Sequence, residues 1–169
     1  MSGGIVRPLQ RTDLAEYRTL RLAALRNHPE AFGMSYEEEA AVEVSTQIPG
    51  MLPAPPGLGV GAEVDGQLVG IAGMVVSSRL KTRHKGRIYG VYVDAGHRRT
   101  GLARMMVEAL LAQARAANLF AVQLSVTVGN ESARRFYTNL GFRPFGIERR
   151  ALCIDGSFFD LEEMEIDLA

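Results

Sequence analysis

The chain has 169 residues, the size of one ordinary globular domain. Its 19 basic and 19 acidic residues cancel, so it lacks the excess positive charge of nucleic-acid-binding and membrane-surface proteins. The single cysteine excludes an intrachain disulfide framework, and the three histidines are too scattered to form a zinc site with it. No apolar run of signal-peptide length opens the sequence, so we expect a cytoplasmic protein without a membrane or nucleic-acid partner.

The N-terminal part predicts one strand followed by two helices. A short strand is expected over residues 5–9, and Thr12 or Asp13 can cap the helix that follows. Glu16 is placed to complete a capping box with Asp13. A second, weaker helix is expected to begin at Glu37.

A stretch rich in proline and glycine separates these helices from the first hairpin. Residues 48–61 contain four prolines and four glycines and predict a mobile loop. The pair Asp65-Gly66 is a strong signal for a two-residue hairpin turn. Three strands are expected around it and after a basic loop: residues 58–64, 67–78 and 87–94.

The C-terminal half predicts alternating helices and strands. A long helix over residues 101–117 precedes a strand over 120–128 that is apolar enough to be buried on both faces. Residues 132–140 predict a helix that Gly141 ends, and residues 142–168 predict a second hairpin. The resulting order is β-α-α-β-β-β-α-β-α-β-β, a mixed α/β domain around one sheet.

Residues 88–103 combine a strand, a tight basic turn and the start of a helix. Backbone N–H groups at a helix start are unpaired and carry the positive end of the helix dipole. Gly101 lets an anion approach the backbone closely because it has no Cβ, and Arg98 and Arg99 add positive charge. The segment therefore predicts a phosphate-binding site that needs no catalytic side chain.

Two other phosphate-binding patterns do not fit. The Gly-Lys-Ser/Thr triplet of a Walker loop does not occur in the sequence. Residues 57–62 match the dinucleotide-binding pattern Gly-x-Gly-x-x-Ala, but they enter a hairpin instead of joining a strand to a helix. A nucleotide-binding module is therefore disfavoured.

Two motifs together resemble those of the GNAT superfamily of N-acetyltransferases. The pattern Arg-x-x-Gly-x-Ala over residues 98–103 is similar to that family's pyrophosphate-binding motif. The pattern Asn-x-x-Ala-x-x-x-Tyr-x-x-x-Gly-Phe over residues 130–142 resembles the segment after the family's fifth strand. The predicted element order agrees over almost the whole chain, and only residues 48–57 have no counterpart.

The resemblance implies a GNAT-like acyl-CoA N-acyltransferase fold, in which the fourth and fifth strands of a mixed α/β sheet splay apart. Residues 1–169 would then form a single N-acetyltransferase domain. Acetyl-CoA (coenzyme A) would be the donor, an amine would be the acceptor, and no metal would be needed. The bound amine would attack directly, without a covalent enzyme intermediate.

The resemblance also assigns roles to the matching residues. The backbone of Val91, Tyr92 and Val93 would pair with pantetheine, and one of its N–H groups would polarise the thioester carbonyl. Asn130 would hydrogen-bond the pantetheine arm, and Tyr137, two helical turns later, would protonate the leaving thiolate. The pyrophosphate would be held, mostly by backbone, by Arg98, Arg99, Thr100, Gly101, Leu102, Ala103 and Arg104.

Neither motif identifies the general base that would deprotonate the amine. Asp94 ends the fourth strand close to the expected pyrophosphate, and Glu63 has the pattern of an outward surface residue. Glu37, Glu38 and Glu39 follow the first helix, where the family often builds its acceptor site, but a charge run is usually a solvated face. A water-mediated base is therefore favoured over any one carboxylate.

Structural roles compete with the functional ones. Tyr137 could serve only as a core aromatic, and Asn130 could cap the following helix, which is compatible with ligand binding. Cys153 is expected to be a small buried residue. Tyr89 and Tyr92 are three apart on a strand and are expected on opposite faces.

Two classes of function therefore fit the sequence. The favoured one is an acetyl-CoA-dependent N-acetyltransferase that acts on a primary amine of a small molecule or a protein. The alternative is a non-catalytic acyl-CoA-binding sensor or partner-binding domain on the same fold. Asn130 and Tyr137 favour the enzyme, whereas the missing glutamate on the fourth strand keeps the alternative open. A homodimer is common among relatives, but no exposed apolar stripe requires one.

Overall fold

The computed structural model describes residues 3–169, which fold around one seven-stranded mixed sheet with the strand order β1-β2-β3-β4-β5-β7-β6. The strands are β1 (Ile5–Pro8), β2 (Leu58–Val64), β3 (Gln67–Val76), β4 (Lys85–Val93), β5 (Ala121–Thr127), β6 (Arg143–Ile154) and β7 (Ser157–Asp167). The helices are α1 (Leu14–Asn27), α2 (Tyr36–Ala41), α3 (Ile48–Met51), α4 (Leu102–Ala116) and α5 (Glu131–Asn139). No helix within residues 3–169 is both long and apolar enough to cross a membrane.

Strands β4 and β5 form the parallel pair of the sheet, and they separate after a short contact. Lys85–Arg87 pair with residues 121–123, whereas β5 pairs with β7 along its whole length. A bulge in β4 accompanies this separation, because Tyr89 and Tyr92 oppose β3 residues that are only two apart. Gly90 within the bulge has a φ of +64°, and bulges bend the strand that carries them. The predicted mixed α/β fold with splayed fourth and fifth strands is thus confirmed.

Helices cover both faces of the sheet. Helix α4 lies on one face and buries a stripe at helical spacing against β2, β3 and β4, as its sequence predicts. Helix α1 lies on the opposite face, where Tyr17, Leu20 and Ala24 pack with Ile71 and Tyr92 in a smaller core. The two cores fix β4 from both sides and leave its C-terminal end beside the start of α4.

The predicted capping box at the start of α1 is wrong. The Asp13 carboxylate accepts hydrogen bonds from the Arg7 guanidinium at 2.8 and 2.9 Å and from the backbone N–H of Gln10 at 2.7 Å. Glu16 instead accepts from the backbone N–H of Leu68 on β3 at 2.8 Å. Both carboxylates therefore tie α1 to other elements instead of capping it.

The proline- and glycine-rich stretch contains a helical turn that its composition does not predict. Residues 48–51 form the single turn of α3, and the side chain of Met51 is fully buried. A Cβ on Gly59 would lie 1.9 Å from the carbonyl oxygen of Met51, so only glycine allows this approach to β2. The prediction of a loop is therefore wrong at residues 48–51, whereas the predicted mobility of the stretch stays a prediction.

Two predictions about side-chain placement are also wrong. The bulge in β4 adds a residue between Tyr89 and Tyr92, so both side chains lie on the α1 face of the sheet. Tyr92 is buried there, and the Tyr89 hydroxyl donates to the carbonyl oxygen of Gly50 at 2.5 Å. Cys153 is exposed and lies on β6, one of the two edge strands of the sheet.

Candidate active site

A cleft of about 750 Å³ lies where β4 and β5 separate. The end of β4, the start of α4 and helix α5 form its walls, together with residues 28–32 after α1. A second cavity of about 360 Å³ adjoins it on the α1 side, and both are lined by Val91, Asn130 and Tyr137. The two spaces together provide a passage through the sheet between two strands that are no longer hydrogen-bonded to each other.

The fold brings the predicted donor-site residues together around the larger cleft. Thr100 is the one residue of the predicted set that does not line the cleft, and its hydroxyl donates to the carbonyl oxygen of His97 at 2.5 Å. The residues from the predicted set that line the cleft are Val91, Tyr92, Val93, Arg98, Arg99, Gly101, Leu102, Ala103, Arg104, Asn130 and Tyr137.

Helix α4 begins at the mouth of the cleft. Gly101 is its N-cap with a φ of +86°, and a Cβ there would point into open space. The first backbone hydrogen bond of the helix runs from the N–H of Met105 to the carbonyl oxygen of Gly101 at 3.0 Å. The N–H groups of residues 102–104 precede that bond, so they are available to an anion. The cradle predicted from the sequence has the backbone geometry that it requires.

The three arginines at the start of α4 differ in their hydrogen bonds and ion pairs. Arg98 donates from Nε to the carbonyl oxygen of Val93 at 3.2 Å, and its Nη2 lies 3.0 Å from Nε2 of His28. Arg104 pairs with Glu108 at 2.8 Å. Arg99 is exposed, has a φ of +62°, and forms no ion pair within the described residues. Arg98 therefore fixes the cleft wall, while Arg99 leaves a net positive charge at its mouth.

Tyr137 lies where the two cavities meet. Its ring packs edge to face against Phe136 and Phe142, with centroids 5.0 and 5.8 Å away. Its hydroxyl makes no hydrogen bond to any described residue, and burial raises the pKa of Tyr137 above the usual value. Asn130 caps α5 by accepting from the backbone N–H of Ala133 at 3.1 Å, and it also lines both cavities.

The carboxylates considered as general bases lie outside the passage, and all but Glu37 have other partners. Glu63 pairs with Arg7 at 2.8 Å, and Asp94 accepts from the backbone N–H of Gly96 at 3.2 Å. Glu38 forms a capping box with Ser35 and lines, like Glu37, a third cavity beside α2. Glu39 is buried and accepts from Gln47. None of these carboxylates lines the passage between β4 and β5.

Sequence reasoning missed the part of the site contributed by α1 and the segment after it. Arg21, His28 and Phe32 line the cavities, although the sequence places them about 60 residues from β4. No local pattern marks them, because their contacts with β4 are made only in the folded chain. Gly90 did carry a signal, since an isolated glycine inside a strand often marks a bulge.

The splayed sheet and the anion cradle at the start of α4 define an acyltransferase fold. Residues 18–142 match the sequence model of the acetyltransferase (GNAT) family, so the chain belongs to that family. The family resemblance read from the two motifs is thereby confirmed. The comparison with curated proteins gives no match.

Several solved structures share the fold over nearly the whole chain. A GNAT-family acetyltransferase from Streptococcus pneumoniae is 21% identical, with a TM-score of 0.83 over 98% of this chain and 99% of its own. A ribosomal-protein-alanine N-acetyltransferase from Brucella melitensis is 22% identical, with a TM-score of 0.84 over 97% and 99%. A putative acetyltransferase from Salmonella typhimurium, solved with its cofactor acetyl-CoA, is 20% identical, with a TM-score of 0.84 over 99% and 95%.

Proposed function

We propose that this protein, acting as a single domain, is an acetyl-CoA-dependent N-acetyltransferase that acts on a primary amine. The observation that carries the proposal is the passage between β4 and β5, which has an anion cradle at one end and the Tyr137 hydroxyl inside it. Acetyl-CoA supplies a thioester-linked acetyl group, which the amine takes by direct attack with release of the thiol. The family and the acetyl-CoA-bound structural neighbour support this choice of donor.

The donor would be held mainly by backbone groups. The N–H groups of residues 102–104 at the start of α4 would bind the pyrophosphate, with the positive charge of Arg99 beside them. The edge of β4 that faces the gap is not paired with β5 beyond Arg87, so backbone groups of residues 91–93 could pair with pantetheine amides there, apart from the carbonyl oxygen of Val93, which accepts from Arg98. Asn130 would reach the same arm from the opposite wall.

Tyr137 would act as the general acid. Its raised pKa keeps the hydroxyl protonated throughout the neutral range, and no described group competes for its proton. The hydroxyl could therefore donate that proton to the developing thiolate. An N–H of the β4 bulge would stabilise the negative charge that develops on the carbonyl oxygen.

The proton of the attacking amine would leave through water. The carboxylates of Glu38, Glu39, Glu63 and Asp94 have other partners, and neither they nor Glu37 line the passage. The passage opens to solvent at both cavities, so a water molecule can relay the proton. We therefore propose a water-mediated base in preference to any one of these carboxylates.

Thermal unfolding with saturating acetyl-CoA tests the donor site, with NAD and ATP as controls. Ligand at about 100 times its dissociation constant adds about 2.7 kcal/mol to the free energy of unfolding. For a domain of this size, this is a rise in Tm of about 5–10 °C. A rise with acetyl-CoA alone would support the site, and an unchanged Tm would overturn it. Thiol release with a panel of amines then separates an enzyme from a non-catalytic sensor.

A further inference from the structure

Arg21 extends from α1 into the smaller cavity, on the side of the passage away from the start of α4. Its side chain is 17% exposed, and the guanidinium lies over the bulge of β4. Nη1 is 3.7 Å from the position that a Cβ on Gly90 would occupy. The guanidinium therefore lies within van der Waals distance of the bulge at Gly90.

The guanidinium of Arg21 has no hydrogen-bond acceptor among residues 3–169. Its Nε forms an ion pair with Oε1 of Glu39 at 3.8 Å, which is beyond hydrogen-bonding distance, and that oxygen accepts a hydrogen bond from Nε2 of Gln47 at 2.7 Å. Its Cζ lies 5.3 Å from the centroid of the Phe32 ring. A guanidinium carries five N–H donors, and a largely buried one is normally hydrogen-bonded. Arg21 therefore has donors left for a ligand.

The second arginine of this cavity is used differently. Arg87 donates to the hydroxyl of Ser125 and to Oε2 of Glu163, the latter at 3.1 Å. Both bonds use Nη2, and the side chain of Arg87 is 46% exposed, whereas that of Arg21 is 17% exposed. Because Arg21 is the more buried of the two and donates no hydrogen bond to a described residue, it is the cation better placed to bind an anionic ligand in this cavity.

We infer that the acceptor is a small amine with a carboxylate a few bonds from its nitrogen, as in an α-amino acid, and that Arg21 binds the carboxylate. The inference rests on the proposed acetyltransferase function. A carboxylate matches the planar fork of a guanidinium and can accept two hydrogen bonds from it. The 360 Å³ cavity has room for a molecule of this size.

The position of Arg21 limits the distance between the two groups of the acceptor. The guanidinium lies against Gly90, next to Val91, whose backbone is part of the proposed acetyl-binding segment. A carboxylate bound there holds its amine beside that segment only if few bonds separate the two. Long diamines and the N-termini of peptides without an acidic side chain lack this arrangement.

The test compares acceptors that differ only in charge. Thiol release from acetyl-CoA is measured with L-alanine, L-leucine and L-glutamate, each beside its α-carboxamide, and with a pentapeptide that has a free N-terminus and no acidic side chain. The wild-type protein should use the acids with a kcat/KM about 10- to 100-fold above the amides. The ammonium groups of the amides lose a proton more readily than those of the acids, so a larger share of each amide is present as the reactive free amine. Amine protonation alone would therefore favour the amides and cannot produce the expected preference for the acids.

Variants of two arginines on α1 separate recognition from structure. Arg21→Gln should reduce the acid-to-amide ratio to about one through a higher KM for the acids, and Arg21→Lys should restore part of it. Arg18→Gln is the matched control, because Arg18 tethers α2 to α1 through the carbonyl oxygens of Ala40 and Val42 outside the cavity. This variant should keep the wild-type ratio. The Tm rise with acetyl-CoA verifies that each variant is folded.

The outcomes distinguish this inference from the function on which it rests. Amides or the pentapeptide used as well as the acids would overturn the anionic acceptor while leaving the acetyltransferase intact. If Arg18→Gln lowers the acid-to-amide ratio of kcat/KM as much as Arg21→Gln does, then Arg21 acts only through the packing of α1 and α2. That result would also overturn the inference of an anionic acceptor. No thiol release with any amine would overturn the proposed function and the inference together.

Discussion

Replacement of Tyr137 by phenylalanine is expected to lower kcat by about 100- to 1000-fold. A positioned general acid contributes about this much to turnover, which corresponds to about 2.7–4.1 kcal/mol of transition-state stabilisation. The edge-to-face contacts of the ring with Phe136 and Phe142 are retained in the variant. The hydroxyl makes no hydrogen bond to a described residue, so the free energy of unfolding should change by less than about 1 kcal/mol.

Tyr89 provides a matched control because it is a second tyrosine of the same passage whose pKa is also raised by burial. Its hydroxyl is already used, since it donates to the carbonyl oxygen of Gly50. Tyr89→Phe should therefore lower the free energy of unfolding by about 1 kcal/mol and leave kcat within about threefold of wild type. The pair separates the loss of a proton donor from the loss of any buried hydroxyl.

Three measurements decide between these expectations. Thiol release at saturating substrates gives kcat, calorimetry gives the affinity for acetyl-CoA, and chemical denaturation gives the free energy of unfolding. Tyr137→Phe should lower kcat alone. An equal loss of kcat and of acetyl-CoA affinity would mean that the hydroxyl only helps to bind the donor, and wild-type turnover would remove Tyr137 from the chemistry.

Two further predictions concern the cradle and the link between β1 and α1. Gly101→Val should abolish acetyl-CoA binding. Gly66→Val is the control, because it imposes a similar backbone strain at a φ of +79° in a turn outside the cleft, and it should leave binding unchanged. Calorimetry on both variants measures the affinity for acetyl-CoA. Asp13→Asn should lower the free energy of unfolding at pH 7 by about 2 kcal/mol, more than Glu63→Gln, because Asp13 has the more buried carboxylate and accepts more hydrogen bonds. The hydrogen bond from Arg7 lowers the pKa of Asp13, so its stabilisation is present above about pH 4 and is lost as the pH falls through the folded-state pKa. Denaturation from pH 7 to pH 2 should show the difference between wild type and Asp13→Asn shrink below pH 4, and a constant difference would refute this assignment.

The parts of the site that could be predicted from the sequence are local in the chain. The strand, turn and helix around Gly101 lie within residues 85–116, so hydrophobic pattern, charge and glycine placement together indicate their geometry. Asn130 and Tyr137 are also close in the chain, because Asn130 caps the short helix that carries Tyr137. The acceptor side could not be predicted this way, because Arg21 reaches β4 from α1 through contacts that neither segment shows alone.

The errors at the start of α1 and on β4 have a common physical cause. Asp13 has the sequence context of a helix cap, but the Arg7 guanidinium offers its carboxylate stronger, charge-assisted hydrogen bonds. Tyr89 and Tyr92 have the spacing of opposite faces, but a bulge inserts a residue between their pairing partners. In both places a tertiary interaction overrides the local pattern.

The bulge at Gly90 connects the fold to the proposed chemistry. It lies where β4 separates from β5, and this separation leaves residues 91–93 without a pairing partner on β5. It also turns both Tyr89 and Tyr92 toward α1, where they hold the sheet against that helix and α3. The Arg21 guanidinium lies beside this same backbone on the α1 side, with Nη1 3.7 Å from the position that a Cβ on Gly90 would occupy. The irregular residue of β4 thus lies both where the proposed donor passage opens and against the group that would select the acceptor.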